Sequence, residues 1–193
     1  MAGRARPPSY SCSLNHCEKP MPLSMSRAAI PMFNQYLTVL TRLLDKAEAH
    51  AARHKIDPEA LLKARLYPDM FPLTSQVQFA CDFAKGAAAR LAGQPVPSYD
   101  DNERTFGDLK ARIAKSLAYV NSIPAATIDG SEESDIRMIF GGQPLAFKGE
   151  PYLIGFALPS LIFHVTTAYA LLRHNGVEIG KADFLGDVPT LGN

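Results

Sequence analysis

Histidines, cysteines and one aspartate set among apolar residues are the parts of this chain suited by type and spacing to chemistry. "FHVTTAYALLRHNGV" (Phe163 to Val177) carries His164 and His174, ten residues apart on what reads as one helix. Ten helical residues leave two side chains about 80° apart around the axis and roughly 15 Å apart along it. One metal ion with bonds near ~2 Å cannot bridge that gap. The two histidines therefore have separate jobs. His164 lies in line with Ala157, Leu161, Ala168 and Leu171 and faces the core, where its nitrogens need partners. A side chain of another helix is the expected partner: Asp82 first, then Gln78 or Tyr36. His174 sits in the final turn, where exposed carbonyls and the helix dipole favour a cation.

Other groupings are weaker. "HAARH" puts His50 and His54 at the i,i+4 spacing that chelates an ion, but two ligands are short of a site and a helix end explains them. "CSLNHC" offers Cys12, His16 and Cys17, three ligands in a Pro/Ser-rich stretch where a zinc site needs four placed by folded structure. Cys81 reads as a small buried hydrophobe. Its neighbour Asp82 is either half of an exposed pair with Lys85 or a carboxylate turned inward to orient His164. A pocket between helices lined by His164, Asp82, Gln78, Tyr169, Thr167 and Asp69 is the site these residues could build.

Elements must position them. The 193 residues are 47% apolar with net charge +1, enough for one domain with a real core. Near-neutral charge argues against a nucleic-acid surface. The longest apolar run, "YLIGFALPSLIF", holds a proline and stops at His164, so no membrane span is expected. Three cysteines without disulfide spacing point to a reducing, cytoplasmic setting. Residues 1–25 lack any apolar period and read as a disordered leader, residues 26–187 as the domain, and 188–193 as a tail.

The domain's pattern is helical. Ile30, Phe33, Leu37, Leu40, Leu44, Ala47, Ala51 and His54 form a seam at alternating steps of three and four. "IDPEALLKA" restarts a short helix, with Asp57 as N-cap and Pro58 at N1. Val77, Cys81, Ala84, Ala88 and Leu91 mark a second long helix, with Phe79 and Phe83 as a further apolar edge. A third opens with the "TFGD" capping box and buries Phe106, Leu109, Ile113, Leu117 and Val120. Alternation at Ile136, Met138 and Phe140, then at Leu145 and Phe147, predicts a short hairpin. The last helix is apolar all round, which predicts burial among neighbours, a kink at Pro159 and an end at Asn175-Gly176. The architecture is an all-α four-helix bundle with a hairpin between the third and last long helices.

"DMFPLTSQVQFACDFAKGAAARLAG" (Asp69 to Gly93) and "FALPSLIFHVTTAYALLRHNGVEIGKADFLG" (Phe156 to Gly186) resemble a bacterial domain family of unknown function. That family is grouped with the DinB-like, YfiT-like metalloenzymes, and the likeness runs from about Met25 to Gly186. The resemblance implies a four-helix bundle, often dimeric. Many DinB-like proteins hold a divalent metal with one histidine from the second helix and two from the last, H-x-x-x-H before R-G-Q. Some of the wider superfamily are thiol-dependent transferases or isomerases. Matching "HNG" to that pattern puts His174 on the second last-helix ligand, but four residues earlier stands Ala170. The second long helix has no histidine; Gln76, Gln78 and Asp82 occupy the region. The triad is broken at two of three places, so a divalent metal is not favoured. Three functions follow: a small-molecule-binding bundle, a homodimeric interaction protein, and a divergent metal-dependent transferase or hydrolase.

Overall fold

A computed structural model describes residues 23–188 of the chain. The leader expected over residues 1–25 lies almost wholly outside that range, as do Cys12, His16, Cys17 and most of the 188–193 tail. Four long helices carry the fold: α1 (Met25–His54), α3 (Leu73–Leu91), α4 (Phe106–Ser122) and α7 (Leu158–His174). Their packing runs α1 on α4, α4 on α3, α3 on α7 and α7 back on α1, a closed ring of four around one core.

The local signals explain the helix ends. Asp57 accepts from the Glu59 amide to start α2 (Pro58–Leu62). Thr105 and Asp108 exchange reciprocal bonds at the head of α4, at 3.0 and 2.9 Å. At the far end of α7, Gly176 takes φ +87°, and the Val177 amide donates back to the Leu172 carbonyl. The α1 seam is buried as its spacing requires, except that Ile30 is half-buried and His54 is exposed. A short α5 (Ala125–Ile128) follows α4.

The hairpin pairs β1 (Asp135–Phe140) with β2 (Gln143–Lys148), Phe140 opposite Gln143. Gly141 and Gly142 supply the two positive φ values, +56° and +79°, that a tight two-residue turn needs. Chain then enters α6 (Gly149–Tyr152) through a close approach: a Cβ on Gly149 would stand 1.9 Å from the Ser131 carbonyl oxygen.

The last long helix departs from expectation twice. A π-turn over Leu153–Ala157 joins α6 to α7, so one continuous helix runs Gly149–His174. Pro159 lacks an N–H, and its ring would crowd the carbonyl four residues back; the wider turn just before it absorbs the misfit without breaking the helix. The joined helix has 26 residues, and its most apolar 18-residue window has a mean hydropathy of 1.5, long and apolar enough to cross a membrane by length and composition. The sequence reading, stopped by the proline, missed it. Nor is the helix buried all round. Leu161, Val165 and Ala168 face the core, while Pro159, Phe163 and Thr166 are exposed. A final helix, α8 (Lys181–Leu185), straps back onto α1 through Phe184 on Tyr36 and a Lys46–Asp183 ion pair. No local pattern announced it.

Candidate functional site

His164 is held by the head of α3. Gln76, in the first turn of that helix and only 2% exposed, folds its amide back so that Nε2 donates to the Phe71 carbonyl at 3.0 Å. A carbonyl can only accept, so this bond fixes which way the amide points. Its oxygen Oε1 therefore faces His164 Nδ1, 2.8 Å away, and Nδ1 must be the protonated nitrogen. The tautomer follows from the network, and Nε2 keeps a bare lone pair. No side chain among the described residues bonds it. The described polar side-chain atoms sealed without a partner are Asn34 Oδ1, Arg112 Nε and Ser131 Oγ, so His164 Nε2 opens to solvent.

Aromatic rings surround the imidazole. Phe83 stacks on it at 5.4 Å, Phe79 lies tilted at 5.1 Å, and Phe163 meets it edge-on at 5.3 Å. The ring itself is half-buried. Burial penalises the imidazolium and pulls its pKa down from 6.5 to about 4. At neutral pH His164 is thus an uncharged hydrogen-bond acceptor. The strip continues through Phe71 on Phe79 at one end and through Phe156 and Phe140 at the other. Phe71, Phe140 and Phe163 are each about half exposed, at 56%, 49% and 56%. A partly exposed aromatic strip along α3 and α7, with the His164 imidazole in it, is the result.

The expected pocket does not assemble around it. Asp82 is not the partner of His164: its Oδ1 accepts from Arg112 Nη2 and pairs with Lys85 Nζ, each at 2.9 Å. Gln78 donates to Glu103 at 2.8 Å. Tyr36 and Tyr169 both pack on Phe184. The Thr167 hydroxyl donates to the Phe163 carbonyl within its own helix, and Asp69 is exposed in the turn before α3. Of the pocket residues expected from sequence, the strip keeps His164 alone. Gln76, Phe79 and Phe83, at one-face spacing on α3, are its companions.

A second constellation escaped sequence reading. Arg112, 4% exposed on the inner side of α4, reaches the Asp100 carbonyl, Glu103, Asp82 and Asp101 at 2.9–3.0 Å. Lys85, Arg112 and Lys115 also lie over the Tyr99 ring, at 4.4, 5.6 and 3.9 Å from its centre. A cleft of about 600 Å³ opens beside them, with Arg104 and Asn102 on its wall. Every acid nearest Arg112 is already bonded to it, so the cluster clamps the 94–104 loop onto α3 and α4. An arginine at Leu109 plus three, on the seam of α4, was the available signal.

The divalent centre that the resemblance implies does not fit the described residues. His174 is exposed at the end of α7, Ala170 stands where its companion ligand would be, and the polar atoms of Gln76 are spent on Phe71 and His164. Among the described residues no three His, Cys, Asp or Glu side chains gather closely enough to hold an ion. Cys81 is no nucleophile. Burial pushes its thiol up to about 12.

Comparison with known proteins agrees with this architecture. A solved crystal structure described as a DinB family member protein from Shewanella denitrificans, at 1.83 Å, superposes with a TM-score of 0.78 at 40% identity, covering 87% of this chain and 95% of that one. No curated protein matches. The family model "Domain of unknown function (DUF1993)" matches residues 25–185, the whole bundle with its hairpin and α8. The chain belongs to the DUF1993 family, a DinB-like helical bundle.

Proposed function

We propose that the aromatic strip along α3 and α7 forms a groove and that this protein is a small-molecule-binding bundle whose ligand lies in it, against His164. One observation carries the reading: Gln76 holds His164 so that a neutral, unpartnered Nε2 faces outward among phenyl rings. A buried glutamine that ties the Phe71 carbonyl with one end of its amide and orients an imidazole with the other presets that ring for a ligand. Apolar walls with a few placed polar atoms are the usual make-up of ligand sites. A fragment that binds only the native state must raise the melting temperature. Aromatic fragments should do so for the parent and much less for Phe83→Ala, which removes the stacked wall. A fragment screen giving no shift would contradict the reading.

A second reading has its own support. From Pro151 to Leu172 the sequence has no Asp, Glu, Lys or Arg, yet only a third of this helix's most apolar stretch is buried. We propose that the outward face of α7, with Pro159, Ile162 and Thr166, pairs with the same face of a second copy. An uncharged face meets itself without like-charge repulsion, so a twofold dimer suits it. Thr166→Arg places a charge on that face while leaving the core alone. Light scattering should show a parent dimer and a monomeric variant; a parent that is monomeric at high concentration would refute the pairing. Among the described residues the metal-dependent alternative finds no ligand set to support it.

A further inference from the structure

We infer that the ligand of the α3–α7 groove is an uncharged aromatic molecule carrying an O–H or N–H donor, which it gives to His164 Nε2. This deepens the reading above and rests on it. Three features of the groove select the class. Among the described residues the free nitrogen of His164 is an acceptor, because Nδ1–H is committed to Gln76 Oε1. A donor is therefore recognised and a bare carbonyl is not. Its walls are ring faces and edges, Phe83, Phe79 and Phe163, which favour a flat π-system over a branched aliphatic one.

Charge supplies the third feature. Asp82 and Lys85, the charged groups of α3 beside Phe83, turn away to the Arg112 cluster. The continuous helix that ends in α7 has no formally charged residue from Pro151 to Leu172. Arg65 and Asp69 lie near the Phe71 end of the strip, Arg65 bonded to the Met70 carbonyl. Beside His164 itself an anionic ligand would surrender its hydration with no cation of α3 or α7 to replace it, and a cation would meet no carboxylate of theirs. Metal coordination is also disfavoured, since one imidazole is a single ligand. Phenols, indoles and similar neutral donor-bearing rings remain.

The probes are phenol, anisole and benzoate, titrated against the full chain by ligand-observed NMR. Anisole keeps the ring and removes the donor; benzoate keeps the ring and adds a charge. Phenol should bind the parent about tenfold more tightly than anisole, the worth of one well-placed hydrogen bond, and benzoate should bind weakest. In His164→Phe the preference for phenol should vanish while anisole still binds. In His164→Gln, which restores an acceptor, part of the preference should return. Equal binding of phenol and anisole to the parent would overturn the donor inference but leave the groove as a binding site. A preference unchanged in His164→Phe, or benzoate as the tightest probe, would overturn it too. If none of the three binds the parent, the binding reading itself fails along with the inference.

Discussion

Removing the imidazole and removing its holder should not cost the protein independently. His164→Leu takes away the only donor to Gln76 Oε1, leaving that oxygen stranded on a residue 2% exposed. An unsatisfied buried acceptor costs about 1–3 kcal/mol, and the lost contacts to Phe79 and Phe83 add about 0.5–1.5 kcal/mol. Leucine recovers part of this by filling most of the space, so a net destabilisation of about 1.5–3 kcal/mol is expected. A fully buried histidine would have cost more; the half-buried ring seen here sets the lower figure. Gln76→Leu strands the Phe71 carbonyl and frees His164 Nδ1–H, whose position near the surface lets water take it up, so its cost is about 1–2 kcal/mol. In the double variant neither half of the central bond is left waiting for the other. Its cost should fall short of the summed singles by about 1–2 kcal/mol. Urea denaturation of all four proteins at pH 7, analysed as a double-mutant cycle, measures this directly. Additivity within about 0.3 kcal/mol would refute the claim that Gln76 exists to hold His164.

Three further expectations concern stability. The folded pKa of His164, about 4, lies below its ordinary 6.5, so between those values the unfolded chain binds more protons and acid favours unfolding. Solvent screening of a half-buried ring trims the effect to about 1–2 kcal/mol; parallel stability curves for the parent and His164→Gln from pH 7 to 4 would contradict it. Arg112→Met should cost about 2–4 kcal/mol in chemical denaturation, because the Glu103 side chain, 8% exposed, keeps only Gln78. Burial pushes the Glu103 carboxyl up, but bonds from Gln78 and Arg112 outweigh it and hold the pKa below 4.5; the loss should therefore shrink as pH falls below that value, and a constant loss would point elsewhere. Gly149→Ala would set a methyl 1.9 Å from the Ser131 carbonyl oxygen; a loss of more than about 2 kcal/mol is expected, and a neutral result would show that the hairpin exit gives way freely.

The bundle was legible because its helices advertise themselves. Seams at steps of three and four, the Asp57 cap, the Thr105–Asp108 box and Asn175-Gly176 act within a few residues, and each acts in the fold as its local chemistry requires. The site was harder, for a reason of rotation. Gln76, Gln78 and Asp82 share one helix, but Gln76 and Asp82 stand roughly 120° apart around its axis. Choosing among them as the partner of His164 needs to know which side of α3 meets α7. That helix is buried on nearly every side, at Gln76, Val77, Gln78, Ala80, Cys81 and throughout Ala84–Ala89, so no polar face reveals its rotation. The last helix hides its orientation in the opposite way, being apolar outside as well as in. Arg112 shows what a local reading cannot weigh. Its acids come from α3 and from the loop before α4, and only the closed ring of helices brings them together.

Nitrogen-15 NMR of the His164 ring at pH 7 tests the central claim most directly, because the two nitrogens report separately which of them carries the proton. A neutral ring protonated at Nδ1, with Nε2 as a bare acceptor whose resonance moves when phenol is added, is the result expected from the Gln76 bond. A ring protonated at Nε2, or an imidazolium at that pH, would contradict the account.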